Sequence, residues 1–431
     1  MDLVRKNDLT FVMAPFLDAH MISPLLDFLG ENKVYDFVQI TKEKIKCVSK
    51  TNMITVVEDE YERLNDNAEM KAEYESKKTE FEQKKDGIFE IIDNPSPQVL
   101  KVTEFFKNEA IVLELKSSDK LNLDTLSTKH NITTGDLAVY FQNAKFQYEC
   151  GIYQDAETMI SNYLSISQPT NPTTISALWG RLACHIVQGL WEPSKDDLKA
   201  LKDVIEIRNT TPMEQLRQRS WILHWSLFVH FTQRESFDSF LEFACDRVYT
   251  QTIQNICPWL LRYFVVAALL SSRRKTILRD ILNDIQNTSY LYNDPILSFV
   301  STLYNEFDID ATQQKLKESL LIMKNDFFLC LHAGKFADMA KMLMCEMYCT
   351  LYARVELKVL ADKLEVSEDD AEKWMVSMVQ NNGVTTVSSN EDKDGTNAVT
   401  GVSTVLSSMV LDARIDSSKQ QVIIAPPAQN V

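Results

Sequence analysis

Apolar residues recur at helical spacing through the first 55 residues of the chain. Two successive apolar groups lie at 16–21 and 25–29, with neighbours three or four positions apart. Pro24 precedes the second group, and a proline is tolerated in the first turn of a helix because its missing N–H has no partner there. The pattern predicts N-terminal helical hairpins over residues 1–56, with one helix beginning near Pro24.

A charge-dense segment occupies residues 57–97. Within it Tyr74, Phe81 and Ile88 recur every seven residues, which predicts a long helix that faces solvent and packs along one narrow stripe. The stripe fits either a helix of a partner protein or another part of this chain, and the pattern leaves both open. The sequence DNPSP at 93–97 ends the helix, because proline disrupts a helix interior.

From residue 98 to residue 350 the helical pattern is continuous, with few strand signals. A glycine followed two positions later by an aromatic residue recurs at Gly151, Gly189 and Gly334. In stacked helical hairpins a small residue lets two helices approach closely, and the aromatic ring fills the gap between neighbouring pairs. The first two copies lie 38 residues apart, near the period of tetratricopeptide repeats. The segment is therefore predicted to be a helical-repeat solenoid.

Two stretches of this segment are apolar almost all round. The sequence WILHWSLFVHF at 221–231 predicts a helix that is covered on every face. The run from Ile256 to Leu270 has 15 residues and contains Arg262, whereas a bilayer span needs about 20. We interpret both as core helices. Charged residues near the N-terminus interrupt any secretory signal, so no targeting segment is predicted.

Residues 351–425 combine two helical patterns with two strand patterns. The first helix carries apolar residues at positions i, i+3, i+4 and i+7, which are Leu357, Leu360, Ala361 and Leu364. Ser367 and Asp370 form a capping signal at the start of the second helix. Residues 411–416 alternate apolar and charged, and 420–424 form the return strand. This order predicts a winged helix, with a flexible polar insertion at about 383–408 and a tail at 426–431. The predicted fold is an all-α helical-repeat solenoid, tetratricopeptide/HEAT-like, ending in a small α+β winged helix.

Composition narrows the function classes. The 431 residues include 45 Lys and Arg against 61 Asp and Glu, a net charge of −16 that disfavours general nucleic-acid coating. Only 10 glycines are present, and none of their spacings matches a phosphate-cradling loop. The eight cysteines are scattered singly, mostly in apolar runs, as in proteins of the reducing cytosol or nucleus.

Candidate chemistry is sparse. The second helix of the predicted winged helix begins with Glu368, Asp369 and Asp370, which would face DNA phosphates unfavourably. A zinc set could be assembled from two short motifs, CxH at 330–332 and CxxxC at 345–349, but these lie in helical sequence, so we interpret Cys330, His332, Cys345 and Cys349 as core residues. No catalytic motif is found. The sequence predicts no enzyme, no cofactor and no metal.

Several motifs carry a resemblance to a known family. A helical solenoid ending in a winged helix resembles the PCI domain, and specific motifs resemble the E subunits of eukaryotic translation initiation factor 3. They are FLDAH at 16–20, PLLDFL at 24–29, TNM at 51–53, AKFQYECGIY at 144–153, ALWGRLA at 177–183, QRSWILHWSLFV at 218–229, NDFFL at 325–329, LADKL at 360–364 and ARIDS at 413–417. The insertion around 383–408, and Gln420 where glycine is usual, depart from the family.

The resemblance implies a non-catalytic scaffold protein that supports mRNA recruitment to the small ribosomal subunit and pre-initiation complex assembly. Its implied partners are other initiation factor 3 subunits of PCI and MPN type, the small (40S) ribosomal subunit, the cap-binding scaffold factor and, indirectly, mRNA, with no membrane and no small-molecule substrate. The implied location is the cytoplasm, with a nuclear pool left open. The predicted partner interface comprises Leu357, Leu360, Leu364, Leu411, Ala413 and Ile415.

Two other interpretations share parts of this pattern. A PCI scaffold of the proteasome lid or of the COP9 signalosome would have the same architecture but different partners. An autonomous nucleic-acid-binding winged helix would show a steep salt dependence of binding.

Overall fold

The structure is a computed structural model of the chain. It describes residues 1–64, 67–118, 121, 123–167, 171–207, 211–233, 237–271, 274–352, 354–380, 413–416 and 421–424. The chain forms two compact units, Met1–Gln233 and Arg234–Val431. Both are built mainly from α-helices, so the prediction of a largely helical chain is confirmed.

The first unit is helical throughout its described residues. Successive helices from α10 to α14 pack against one another in sequence order, as expected for stacked helical hairpins. The helices are α1 (Asp2–Lys6), α2 (Thr10–Met13), α3 (Ala19–Glu31), α4 (Phe37–Val48), α5 (Ile54–Arg63), α6 (Ala68–Asp93), α7 (Pro97–Lys107), α8 (Glu109–Ser117), α9 (Leu123–His130), α10 (Thr134–Glu149), α11 (Tyr153–Ile166), α12 (Pro172–Gln188), α13 (Trp191–Ile207) and α14 (Pro212–Phe231). A 3₁₀ turn at Ala14–Phe16 joins α2 to α3.

The second unit adds a small sheet to its helices. Its elements are α15 (Asp238–Ala244), α16 (Arg247–Ile256), α17 (Leu261–Leu270), α18 (Arg274–Thr288), α19 (Pro295–Ser301), α20 (Ile309–Lys324), α21 (Ala333–Leu351), β1 (Arg354–Glu356), α22 (Leu357–Leu364), α23 (Glu368–Gln380), β2 (Ala413–Asp416) and β3 (Gln421–Ile424). A π-helical turn at Thr302–Glu306 extends α19. The sequence predicted β2 and β3 but not β1.

The charged segment forms two helices rather than one. Helix α5 ends at Arg63 and α6 begins at Ala68, where the Asn67 side chain accepts hydrogen bonds from the first turn. Tyr74 and Phe81 of α6 pack against Tyr61 of α5, with ring centroids 5.5 and 6.1 Å away. This part of the heptad stripe therefore lies against the protein's own chain. Helix α6 ends at Asp93, as the DNPSP motif predicted.

The predicted helix start at Pro24 is wrong. Helix α3 begins five residues earlier, where the Asp18 carboxylate accepts a hydrogen bond from the His20 N–H, and it continues through Pro24. The single backbone hydrogen bond that proline cannot donate is lost inside this helix. Burial of Met21, Leu25 and Leu29 on one face keeps the helix continuous across that position.

The glycines of the repeated motif have two different roles. Gly151 and Gly189 adopt φ of 86° and 72° and end α10 and α12 in the left-handed conformation that glycine favours. Gly334 instead lies in the first turn of α21, and no atom lies within 4 Å of where its side chain would be. The close helix approach predicted for all three glycines is therefore wrong at Gly334, and two of the three are helix-ending residues.

Gly151→Ala is expected to destabilise the first unit more than Gly189→Ala does. Both alanines would be forced into a left-handed backbone, which costs about 1–2 kcal/mol. At position 151 the added Cβ would also lie 3.2 Å from Met53 Sδ, whereas at position 189 the nearest atom is 3.7 Å away on Trp191. Urea unfolding of both variants measures the difference. Equal losses would show that the Met53 contact contributes nothing.

The first apolar stretch is a buried helix, as predicted. The second is buried for most of its length but is not one helix: Ile256, which is 36% exposed, ends α16, and α17 begins at Leu261 after a 3₁₀ turn at Pro258–Leu260. Ile222 to Val229 are all buried in the first unit, and Leu261 to Leu269 are all buried in the second. Within the described residues, no single helix is long and apolar enough to cross a membrane. One bent pair, Arg247–Ile256 with Pro258–Leu270 at 117°, meets the length and composition requirement.

Candidate protein-interaction surface

Helices α22 and α23 form a helix-turn-helix at the end of the second unit. Glu365 ends α22 in a left-handed conformation, φ 52°, and the N–H of Val366 bonds the carbonyl of Ala361. The Ser367 hydroxyl then accepts the N–H of Asp370 at 3.2 Å and donates to its carboxylate at 2.7 Å. The cap predicted at Ser367 is confirmed, and it fixes where the second helix begins.

Three short strands make an antiparallel sheet beside these helices. The strand order is β1-β3-β2, so β3 is central. Arg354 is paired with Ile423, and Ala413 with Ile424. Among the described strands, β2 has a neighbour on one side only. Its other edge carries backbone N–H and C=O groups that a strand of another chain could pair with.

The predicted interface residues fall into three groups. Leu357, Leu360 and Leu364 are buried within this chain, with 5%, 0% and 2% of their surface exposed. Ala413 and Ile415 lie on the edge strand β2, and Leu411 lies outside the described residues. The exposed face of α22 is formed instead by Lys358, Val359 and Asp362. Sequence periodicity identifies these positions only as the face opposite the apolar residues.

The helix-turn-helix is held to α20 and α21 by ion pairs and sulfur contacts. Lys363 pairs with Asp310, and Lys317 pairs with Glu365 at 2.5 Å. The thiols of Cys345 and Cys349 on α21 both contact Met375 Sδ of α23, at 3.6 and 3.5 Å. The neighbouring Cys349 thiol and, after it, burial raise the pKa of Cys345, so it is a neutral core group. These contacts fix the position of the module within the second unit.

The alternative zinc set does not converge. The Cys330 thiol donates to the carbonyl of Phe327, and His332 packs edge-on against Phe237 with centroids 4.8 Å apart. Cys345 and Cys349 face Met375 instead. In the part of the chain that the structure describes, no three His, Cys, Asp or Glu side chains are grouped to hold a metal ion.

The FLDAH motif of the first unit connects the N-terminal helices to the stacked helices. Asp18, besides capping α3, accepts a hydrogen bond from the Tyr148 hydroxyl at 2.9 Å. His20 Nδ1 lies 2.9 Å from the Tyr153 hydroxyl, and burial lowers the pKa of His20. Two motifs separated by about 130 residues therefore meet in one polar cluster, which leaves little freedom between these segments.

The same N-terminal motif reaches α14, at the buried apolar stretch 221–231. The Phe16 ring stacks on the His224 imidazole with centroids 4.4 Å apart, and the Trp225 indole N–H donates to the Phe16 carbonyl at 3.0 Å. His224 Nδ1 donates to the Ser220 carbonyl at 2.7 Å, and burial lowers its pKa to about 4. His224 is therefore neutral at physiological pH and acts as a packing residue.

Comparisons with known proteins match these motifs. Residues 8–147 match the family model described as the eIF3 subunit 6 N terminal domain. The E subunits of eukaryotic translation initiation factor 3 from Botryotinia fuckeliana (strain B05.10) and Sclerotinia sclerotiorum (strain ATCC 18683 / 1980 / Ss-1) are each 32% identical over 392 residues, 89% of this chain and 85% of theirs. The E subunit from Drosophila melanogaster is 32% identical over 375 residues, 87% of this chain and 84% of its own.

This chain belongs to the family of E subunits of eukaryotic translation initiation factor 3. The prediction made from its motifs is confirmed at that level. In this member of the family, the FLDAH motif contacts both AKFQYECGIY and QRSWILHWSLFV within the first unit, although the three lie far apart in sequence. The relatives are named as initiation factor subunits rather than as enzymes.

Proposed function

We propose that this chain is a non-catalytic scaffold of initiation factor 3. In this role it joins other PCI and MPN subunits and supports mRNA recruitment to the small ribosomal subunit and pre-initiation complex assembly in the cytoplasm. Membership of the E-subunit family supports an assembly role, because the relatives are named as subunits of a larger factor. The cap-binding scaffold factor is a further proposed partner.

The observation that carries the proposal is the edge of β2. It lies in a three-stranded sheet next to a helix-turn-helix, an arrangement that supports the winged-helix and PCI assignment of residues 351–425. An incoming strand would gain main-chain hydrogen bonds without needing a deep pocket. We propose the same organisation for the rest of the scaffold as the sequence predicts: N-terminal helical hairpins at 1–56, a charged segment at 57–97 and a helical-repeat solenoid at 98–350.

Proline substitutions at Ala413 and Arg414 test the edge. Consecutive strand residues direct their N–H groups to opposite sides, so one of the two prolines removes a bond to β3 and the other removes a group from the free edge. We expect the proline that removes a group from the free edge to lower about tenfold the amount of other factor 3 subunits that copurify with the tagged chain, and to leave its thermal unfolding unchanged. Quantitative mass spectrometry of purified complexes measures the loss.

Leu113→Ser, on α8 of the first unit, is the control, because this leucine is 65% exposed and lies outside the sheet. Its recovery of partners should equal that of the unmodified chain. Full recovery with both prolines would contradict docking through β2. Copurification with proteasome lid or signalosome subunits, without small ribosomal subunits on sucrose gradients, would keep a scaffold role but overturn the translation assignment.

A further inference from the structure

An aromatic surface lies at the C-terminal end of α21. Tyr348 and Tyr352, four residues apart on this helix, pack ring to ring with centroids 4.6 Å apart. Tyr352 and its neighbour Leu351 are 50% and 43% exposed, and Tyr348 is half-buried. Large apolar side chains grouped on a surface indicate a place that another segment covers. We call Tyr348, Leu351 and Tyr352 the tyrosine surface.

The charges beside the tyrosine surface are matched with one another. Lys363 of α22 pairs with Asp310 of α20 next to Tyr348. Burial raises the pKa of Tyr348, and the two charges act on its hydroxyl in opposite directions. The tyrosine surface therefore has a neutralised margin on the side of α20 and α22. Such a margin suits an uncharged segment better than a charged one.

The register of the sheet directs the chain after β3 toward this surface. Strands β1 and β3 pair antiparallel with Arg354 opposite Ile423, and β3 ends at Ile424. If this register continued, Ala425 would come opposite Tyr352, and facing residues in an antiparallel pair are about 5 Å apart. The backbone of Tyr352 is itself extended, with φ −120° and ψ 125°. The segment that follows β3 therefore begins beside the tyrosine surface.

The sequence of this segment suits an aromatic surface. Residues 425–431, which follow the described part of the chain, read APPAQNV and include no charged side chain. Proline has no N–H and cannot extend a strand ladder, in agreement with the end of β3 just before Pro426 and Pro427. Consecutive prolines favour the polyproline II conformation, which docks on aromatic side chains with little loss of conformational entropy.

The spacing of the two tyrosines fits the length of the two prolines. Between Tyr352 and Tyr348 an α-helix rises about 6 Å. A polyproline II segment rises about 3.1 Å per residue, so two residues cover the same distance. A segment that leaves β3 opposite Tyr352 therefore reaches Tyr348 within its two prolines.

We infer that the segment 425–431 packs on the tyrosine surface of its own chain, with Pro426 and Pro427 against the rings of Tyr348 and Tyr352. The attachment of this segment to β3 favours it over any other occupant, because it is present at the surface at a high effective concentration. A partner protein that bound these tyrosines would first have to displace the segment. The contact does not use the free edge of β2, so it stands whether or not that edge binds another protein.

Photochemical cross-linking from position 352 identifies the occupant. Tyr352→p-benzoylphenylalanine in the full chain keeps an aromatic ring and, on irradiation, forms bonds to C–H groups that it contacts. We expect mass spectrometry to find cross-links to residues 425–431, and a mixture of isotope-labelled and unlabelled chains to show that both ends belong to one molecule. Tyr290→p-benzoylphenylalanine is the matched control, because Tyr290 is 81% exposed in the same unit and should give no cross-link to this segment.

Hydroxyl-radical footprinting measures how far the segment covers the tyrosines. The double substitution of Pro426→Ser and Pro427→Ser should raise the oxidation of Tyr348 and Tyr352 about threefold, since it removes the two apolar rings that bury them. Substituting Gln429→Ser and Asn430→Ser, beyond the prolines in the same segment, should leave their oxidation unchanged. Oxidation of Tyr290 should be the same in every variant, and thermal unfolding should stay near that of the unmodified chain.

Three results would overturn the inference. The first is that cross-links from position 352 do not reach residues 425–431. The second is that they form only between labelled and unlabelled molecules, which would make a second copy of the chain the occupant. The third is equal oxidation of the two tyrosines with and without the prolines. Failure of the proposed β2 contact together with success of these experiments would overturn only the sheet contact.

Discussion

Arg262→Met is expected to lower the free energy of unfolding of the second unit by about 3–5 kcal/mol, the range for removing one partner of a buried ion pair. Arg262 is 1% exposed and lies in the most apolar helix of the unit. Its guanidinium donates to Asp294 at 2.7 Å and to Asp326 at 3.2 Å. Without it, two carboxylates remain buried with no cation between them.

The loss is large because each carboxylate also organises a turn. Asp294 caps α19 by accepting the Leu297 N–H at 2.8 Å, and Asp326 accepts the Phe328 N–H at 3.0 Å in the turn after α20. The guanidinium therefore connects α17 to two turns whose aspartates lie 32 and 64 residues after Arg262 in the sequence. Methionine fills a similar volume, so loss of charge and hydrogen bonds dominates the expected effect.

The effect should depend on pH. Burial raises the pKa of Asp326, and the Arg262 guanidinium opposes that rise. Removing Arg262 raises the pKa further, so the folded variant binds a proton more readily than the unfolded chain does. Its stability therefore increases as pH falls through the raised pKa of the folded state toward the lower pKa of the unfolded chain. Arg262→Met should therefore be most destabilising at neutral pH and less so in acid.

Urea unfolding at several pH values, followed by intrinsic fluorescence, measures both effects. Arg279→Met is the control, because this arginine is exposed on α18 of the same unit, and a loss below about 0.5 kcal/mol is expected. Arg262→Lys keeps a positive charge but not the forked geometry, so its loss should be intermediate. A pH-independent loss for Arg262→Met would contradict the electrostatic explanation.

Periodicity predicted the helices well because burial of one face decides where they form. The core helix at 221–231 and the strands β2 and β3 follow from local pattern alone, whereas the single helix predicted at 256–270 is divided between α16 and α17. Local signals were insufficient at Pro24, where the Asp18 cap and the buried face of α3 outweigh one missing hydrogen bond. They were also insufficient for β1, whose three residues are too few to show a period.

The candidate surfaces were harder to predict, because apolar periodicity does not say what covers an apolar face. Leu360 and Leu364 carried the pattern expected of an interface and are buried in their own chain.

Asp197→Ala is expected to lower the free energy of unfolding of the first unit by about 3 kcal/mol. Asp197 of α13 is 2% exposed and binds two side chains of α12. It accepts hydrogen bonds from Arg181 at 2.9 and 2.6 Å, and from His185 Nδ1 at 2.7 Å. The alanine variant leaves the buried imidazole and the guanidinium without their acceptor.

This carboxylate matters to more than one pair of helices. His185 Nε2 lies 3.6 Å from Glu157 of α11, and Glu157 accepts a hydrogen bond from Ser161 at 2.9 Å. The network therefore crosses α11, α12 and α13 in succession. In a stack of helical repeats each helix pair is stabilised mainly by its neighbours, so loss of one such network should weaken the whole stack cooperatively.

Asp196→Ala is the matched control. It removes a carboxylate from the adjacent, exposed position of the same helix and should change stability by less than about 0.5 kcal/mol. Hydrogen exchange followed by mass spectrometry shows where the Asp197→Ala chain opens, and we expect faster exchange in α11, α12 and α13 together. Faster exchange confined to α13 would mean that the network does not couple the repeats.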